Sequence, residues 1–288
     1  MSSADLRPLS LGELLDRTFT LYRNHFWLFV GIMAVPQLLI LAIGLVGVAI
    51  GSIVQPTMRQ GSLDSVPGPG MAVIAGGVLF GILLAFAFLA VYVLAQAATV
   101  SAVSEIYLGR STSVRQAYAQ VRRKVWRLIG VLLLISLMVG AGTIFLIVPG
   151  ILALLATSLA VPALVLEDCS PTVAIGRSMD LTKGQWGRIF LIFALFILLS
   201  WIALLILEFP FSIAHGILLK QGEQSSVLAA LSQLGNALAN VLVGPMGTIA
   251  FALVYYDVRV RKEAFDLQVM MAALGPATPG EPASIGPD

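Results

Sequence analysis

The chain has 288 residues, of which 58% are hydrophobic and 11% charged, and its mean hydropathy is +0.95. This composition excludes an ordinary soluble domain and favours an all-α chain that crosses a bilayer several times. The single cysteine, Cys169, excludes an internal disulfide and a thiolate metal cluster. A net charge of only +2 gives no reason to expect a nucleic-acid partner.

The first predicted element is a short amphipathic helix within residues 1–25. Ser10 and Glu13 have the spacing of a capping box, and leucines such as Leu11 and Leu14 follow along one helical face. Acidic and basic residues are mixed here and no cleavable signal peptide is evident. The sequence therefore predicts a cytoplasmic amino-terminal segment whose helix lies on the membrane surface.

Six apolar stretches of bilayer-spanning length follow. In lipid they must form helices, because only then is every backbone polar group hydrogen-bonded within its own segment. They fall at about 26–54, 71–102, 128–148, 150–167, 188–208 and 236–257. We predict a polytopic helix bundle with six transmembrane helices, a membrane domain over 26–268 and a cytoplasmic tail over 269–288 that is largely disordered from about 275.

Two connections have distinct signals. The segment Gln55 to Gly70 is rich in Gly, Pro and Ser, which is typical of a flexible external loop. Val148-Pro149-Gly150 predicts a tight turn between the third and fourth spans.

Lysine and arginine alternate strongly along the chain. Of the 17 basic residues, 15 fall in every second inter-span segment, beginning with the amino terminus. Because positive charge is retained in cytoplasmic loops, both termini are expected in the cytoplasm.

A short helix is predicted before each odd-numbered span, which suggests three repeated units of a surface helix and a two-span hairpin. The second of these helices is the most basic stretch of the chain. Its cations are Arg115, Arg122, Arg123, Lys124 and Arg127. They are candidates for contact with anionic lipid headgroups or a protein partner, although retention of topology alone would also explain part of the charge.

Each even-numbered span ends near an acid on the cytoplasmic side, namely Glu105, Glu167 and Asp257. Arg17, Arg122 and Arg177 are the basic residues expected to pair with these carboxylates. We interpret the acids and Arg17 and Arg177 as interfacial structural pairs, which is the more ordinary role than proton relay.

No constellation in the sequence predicts catalysis or a bound cofactor. The two histidines, His25 and His215, are assigned to opposite sides of the membrane, and no acid falls in the centre of a predicted span. Asn236 and Asn240 share a helix face and would line the polar route of a permease, with prolines at 162 and 245 breaking helices. Hydrogen bonding between helices is the alternative.

Three stretches carry a resemblance to a known family: Leu9–Asp16, Glu167–Lys183 with its Arg177-Ser178 pair, and Tyr255–Glu263. Through these three stretches the chain resembles the membrane-domain family of bacterial glycerophosphoryl diester phosphodiesterase. The resemblance implies a multi-pass protein of the bacterial inner membrane. In the enzymes, hydrolysis belongs to a separate soluble barrel with histidine and acidic residues, which no segment of this sequence matches.

Three functions follow from these observations. The first is a noncatalytic inner-membrane protein that works through its cytoplasmic face as a scaffold or a lipid-contacting or partner-contacting module. The second is a transporter or permease for a lipid or small molecule. The third is the membrane part of a system that processes glycerophosphodiesters.

Overall fold

A computed structural model of the chain describes residues 9–59, 69–220 and 225–263. These residues form helices and short connections and contain no strand. The helices are α1 (Leu11–Asn24), α2 (Phe26–Arg59), α3 (Pro69–Tyr107), α4 (Val114–Val121), α5 (Val125–Phe145), α6 (Ile147–Thr157), α7 (Ala160–Glu167), α8 (Pro171–Thr182), α9 (Trp186–Leu207), α10 (Phe209–Lys220) and α11 (Ser226–Glu263). A 3-10 turn, Arg122–Lys124, joins α4 to α5.

The prediction of six apolar helices is confirmed within the described residues. The helical stretches long and apolar enough to cross a membrane are Phe26–Val48, Leu79–Tyr107, Val114–Phe145, Ile147–Glu167, Trp186–Leu207 and Ser226–Glu263. Large apolar side chains lie exposed on their outer surfaces, as Ile144 and Phe145 do at 86% and 84%. This is the construction of a multi-pass membrane protein, because lipid is the solvent that such a surface requires.

Helix α11 is the centre of the bundle. It packs along α2 and α9 and also contacts α1, α3 and α10. Its core positions include Ile249, Ala250 and Leu253, and the buried residues of α3 include small ones such as Ala97 and Ala98. Small side chains let helix backbones approach closely, which is how apolar helices gain packing contacts in lipid.

Helix α1 begins at the predicted capping box. The backbone N–H of Ser10 donates to Glu13 Oε2 at 2.8 Å, and the N–H of Glu13 donates to Ser10 Oγ at 3.3 Å. Leu14, Thr18 and Tyr22, one turn apart, are buried. Tyr22 donates its hydroxyl to the carbonyl of Leu242 in α11 at 2.8 Å, and burial raises the pKa of Tyr22 to about 12.

The predicted tight turn at Val148-Pro149-Gly150 is wrong by a few residues. The chain turns at Leu146, whose backbone is extended, and Pro149 lies in the first turn of α6. Proline is tolerated there because the first amide groups of a helix have no intrahelical acceptor.

The fourth predicted span is divided into α6 and α7. Pro162 has no N–H for the carbonyl of Ser158, and its ring crowds that carbonyl, so the helix breaks at Ser158 and Leu159. The Ser178 hydroxyl of α8 satisfies the freed groups: it donates to Ala156 O at 2.7 Å and accepts from Leu159 N at 3.0 Å. Pro245, by contrast, lies within the continuous helix α11.

Several boundaries differ from prediction. Residues 55–59 of the predicted external loop continue α2, and 69–70 begin α3. Residues 60–68, the amino-terminal 1–8 and the predicted tail 269–288 lie outside the described residues. Helix α11 begins at residue 226, ten positions before the predicted sixth span.

Gly235 of α11 passes close to the end of α9. A Cβ atom on Gly235 would lie 2.6 Å from the carbonyl carbon of Leu207 and 2.9 Å from Glu208 Cα. These are backbone atoms, so one helix would have to move. We expect Gly235→Ala to destabilise the protein by about 1–2 kcal/mol, measured by unfolding in detergent.

Gly216 of α10 is the matched control for that substitution, because a Cβ there meets nothing within 4 Å. Alanine at this helical position should leave the stability unchanged or raise it by about 0.5 kcal/mol. Equal effects of Gly235→Ala and Gly216→Ala would contradict the close approach of α9 and α11.

Candidate functional site

A buried carboxylate, Asp257, fixes the segment before α1 to the bundle. Its side chain is fully buried. Oδ1 accepts from the backbone N–H of Leu9 at 2.6 Å, and Oδ2 accepts from Arg188 at 2.5 Å and Arg261 at 3.0 Å. Both guanidinium groups also donate to the carbonyl of Leu9, at 3.0 Å and 2.5 Å. The backbone N–H and C=O of Leu9 and three charged side chains from α9 and α11 thus form one network.

A second network joins the end of α7 to α8 and the end of α11. Arg177 donates its Nε–H to both oxygens of Glu167, at 3.0 Å and 3.1 Å, and pairs with Glu263. Tyr255 donates to Glu167 at 2.6 Å, and Arg259 donates to Glu263 at 3.0 Å. Burial alone would lower the pKa of Arg177, but these two carboxylates outweigh burial and raise it.

These contacts bring together the three stretches that carry the family resemblance. Leu9 of the first stretch binds Asp257 of the third, and Arg177 of the second binds Glu263 of the third. Lys262 adds hydrogen bonds to the carbonyls of Asp180 and Lys183, at 2.7 Å and 2.8 Å. Segments far apart in sequence therefore form one polar cluster at one end of the bundle, which we call the polar end.

The predicted cationic stretch divides into two groups in space. Lys124 and Arg127 both contact Asp168, at 3.0 Å and 3.1 Å, and Lys124 also donates to the carbonyl of Val165 at 3.0 Å. Asp168 has a left-handed backbone, with φ of 52°, just after the end of α7. The hydrogen bond from Lys124 and its positive charge lower the pKa of Asp168.

Arg115, Arg122 and Arg123 are the second group, and we call them the cationic surface. All three are exposed, and none forms an ion pair with an acid of residues 9–59, 69–220 or 225–263. The opposite side of α4 packs inward: Ala117 and Val121 are buried, and Tyr118 donates to Ile32 O of α2 at 2.8 Å. Trp126, which follows the cationic surface, is 74% exposed.

The remaining predicted pairs differ in outcome. Glu167 pairs with Arg177, whereas Asp257 pairs with Arg188 and Arg261 and with none of the predicted partners. Glu105 lies 3.6 Å from Arg110 and 3.4 Å from the amide of Gln120. Within the part of the chain that the structure describes, no ion pair joins Arg17 or Arg122 to any of these three acids.

No family model, curated protein or solved structure matches this chain.

Sequence reasoning missed several residues of the polar end. Asp257 with Arg261 and Arg259 with Glu263 have the four-residue spacing of helical ion pairs, a signal that was available in the sequence. Arg188 offered no such signal, because its partner is 69 residues away. Outside the polar end, Glu208 was also missed. It is the C-cap residue of α9 and accepts a hydrogen bond from the side-chain amide of Asn236 at 2.8 Å.

The chemistry of these clusters is ionic and hydrogen-bonding. In the described residues, no group of three or more His, Cys, Asp or Glu side chains is placed to hold a metal ion. His25 is the C-cap residue of α1, whereas His215 lies within α10. The polar end is therefore suited to joining helices, and the cationic surface beside α4 is suited to binding anions.

Proposed function

We propose that this chain is a noncatalytic protein of the bacterial inner membrane whose cationic surface binds anionic lipid headgroups at the cytoplasmic face. The observation that carries the proposal is three exposed guanidinium groups without an acidic partner in the described residues, next to an exposed tryptophan. Cations beside the membrane attract anionic headgroups, and tryptophan favours the same interfacial depth. The polar end holds neighbouring helices in fixed positions.

The proposed topology is three hairpins, each preceded by an amphipathic surface helix, with both termini in the cytoplasm. It is supported by the distribution of 15 of the 17 basic residues. It is also supported by exposed tryptophans at the starts of α2, α5 and α9: Trp27, Trp126 and Trp186. Helix pairs α2 with α3, α5 with α6 and α9 with α11 are in contact. The proposed membrane domain covers residues 26–268.

We also propose that the chain belongs to the membrane-domain family of glycerophosphoryl diester phosphodiesterase. Support comes from the three short stretches of resemblance, whose residues contact one another at the polar end. Contact among them gives a physical reason for their joint occurrence. Phosphodiester hydrolysis is not part of the proposal, because the polar end presents paired arginines and acids and no metal-ligand set within the described residues.

The lipid contact is tested by the combined substitution of Arg115, Arg122 and Arg123 with glutamine. In vesicles of phosphatidylglycerol and phosphatidylcholine, we expect crosslinking of a photoactivatable phosphatidylglycerol to α4 and the start of α5 to fall by at least about tenfold. Each basic residue near an anionic surface contributes about 1 kcal/mol, which a neutral amide cannot replace. Mass spectrometry of the crosslinked peptides gives the measurement.

The matched control replaces the same three arginines with lysine. Charge is then retained, so crosslinking and its decrease with added salt should stay near the wild-type values. Equal crosslinking of the glutamine variant and the wild type would refute the proposal. Recovery of one specific protein by the wild type but not by the glutamine variant, with lipid crosslinking unchanged, would indicate a protein partner instead.

A further inference from the structure

A cavity of about 670 Å³ lies between α3, α5, α6, α7, α9 and α11. Its size is within the range of sites that hold small molecules, about 300–1,000 Å³. All of the lining residues belong to the six apolar helical stretches. None of these lining residues belongs to the polar end or to the cationic surface, so the cavity is separate from both.

The walls are apolar with a few uncharged polar groups, and no lining residue carries a charge. On one side the amide of Gln96 donates to Tyr92 Oη at 2.9 Å and accepts from the hydroxyl of Thr248. On another side Asn240 donates to Asn236 Oδ1 at 3.0 Å. Asn236 in turn donates to Glu208, so the chain of donors ends on a carboxylate outside the cavity.

Asn240 has an unused acceptor. Its amide nitrogen donates to the backbone and side-chain oxygens of Asn236, while no described residue donates to its own Oδ1. The side chain is oriented by these two bonds before any ligand arrives. A hydroxyl group entering the cavity would find an acceptor there, and the apolar walls would contact the rest of the molecule.

The cavity opens between helices. Ile197 and Trp201 line it one helical turn apart on α9, and they are 51% and 58% exposed. Trp201 lies about 22 Å along α9 from Trp186, at a rise of 1.5 Å per residue, in a helix of 22 residues. This opening lies within an apolar helical stretch, where lipid would lie beside it in a bilayer.

We propose that this cavity binds one uncharged amphiphile, a long-chain alcohol or an acylglycerol, with its hydroxyl group on Asn240 and its chain along the apolar walls. An ionised carboxylate is excluded, because an unpaired charge in such a site is costly and no cation lines it. Binding is independent of the cationic surface. A transporter or permease for a lipid, the second function considered from the sequence, would need such a binding site. Binding of an amphiphile in this cavity does not by itself imply transport.

The test uses the full chain in lipid nanodiscs with two diazirine probes of equal length, a long-chain alcohol and the corresponding fatty acid. We expect the alcohol to label peptides of α9 and α11 that line the cavity, and unlabelled alcohol to compete. The acid should label these peptides at least fivefold less. Equal labelling by both probes would overturn the assignment of an uncharged ligand.

Ser200→Leu narrows the cavity with a larger apolar side chain at little structural cost. The hydroxyl of Ser200 donates only to Phe196 O in its own helix, at 2.8 Å, so no contact between helices is lost. Labelling by the alcohol should fall at least fivefold. Ser136→Leu is the matched control, because Ser136 donates to Leu133 O in its own helix, is exposed and lies outside the cavity.

Asn240→Leu gives an independent result if Ser200→Leu does not fold. Asn240 is exposed and bonded within its own helix, so leucine is tolerated there. We expect loss of the preference for the alcohol over its methyl ether, which has no hydroxyl to donate. Unchanged labelling in both Ser200→Leu and Asn240→Leu, or labelling confined to peptides outside the cavity, would overturn the proposal.

Discussion

Replacing Asp257 with asparagine should release the segment before α1 and destabilise the protein by about 3 kcal/mol. The buried carboxylate is the common acceptor for Leu9 N–H, Arg188 and Arg261. Asparagine is nearly the same size but neutral, so two guanidinium groups would lose their counter-charge. Arg188, whose side chain is 14% exposed, cannot regain full hydration without movement of α9.

Two measurements check this result. Unfolding of the purified protein in detergent gives the stability change, and limited proteolysis reports release of the chain around Leu9. Asp180→Asn is the control, because its ion pair with Lys183 at 2.9 Å is exposed, at 69% and 68% of the two side chains. An exposed pair of this kind contributes little. Equal stability of the Asp257 and Asp180 variants would contradict the role of the buried network.

A double substitution separates charge from packing. Adding Arg188→Met to Asp257→Asn removes one of the cations left unpaired, so part of the lost stability should return. The two substitutions should therefore be less damaging together than the sum of the single effects, with a coupling of about 1 kcal/mol or more. Strict additivity would mean that Arg188 and Asp257 do not interact in the folded protein.

The helices were largely predictable because their signals are local. Apolar length defines a span, and the Ser10 and Glu13 capping box defines the start of α1. Interruptions were harder to place, because the apolar sequence continues through each of them. Pro149 and Pro162 are each the third residue of a helix, α6 and α7, so each helix starts two residues before its proline, which apolar length alone does not show.

The site was less predictable because it depends on contacts between distant segments. The sequence shows five cations between residues 115 and 127, and nothing local indicates that two of them pair with Asp168, about 40 positions later. The fold brings Lys124 and Arg127 into contact with Asp168 and leaves the three arginines of the cationic surface exposed. Similarly, Asn236 and Asn240 share a helix face as predicted, but only packing assigns one to Glu208 and the other to a cavity.

Arg177→Met should destabilise the protein by about 2–3 kcal/mol at neutral pH, because Glu167 and Glu263 would lose one of the two cations that they share and keep only Arg259. Methionine retains most of the apolar volume, so the effect is mainly electrostatic. The side chains involved are 21–30% exposed, which places the expected loss below that of a fully buried pair.

The pH dependence distinguishes this explanation from a simple loss of packing. The ion pairs of Arg177 form only with ionised carboxylates, and a neighbouring cation favours the ionised form, so their contribution is fully present above the usual glutamate pKa of about 4.3 and is lost only as the pH falls below it. The stability difference between Arg177→Met and the wild type should therefore shrink when the pH is lowered from about 7 to about 3. Ser178→Ala is the control on the same helix: Ser178 is buried and uncharged, and its bonds to Ala156 and Leu159 do not titrate. Its stability loss should be the same at both pH values, and a loss for Arg177→Met that is equally insensitive to pH would show that packing, and not charge, connects α7, α8 and α11.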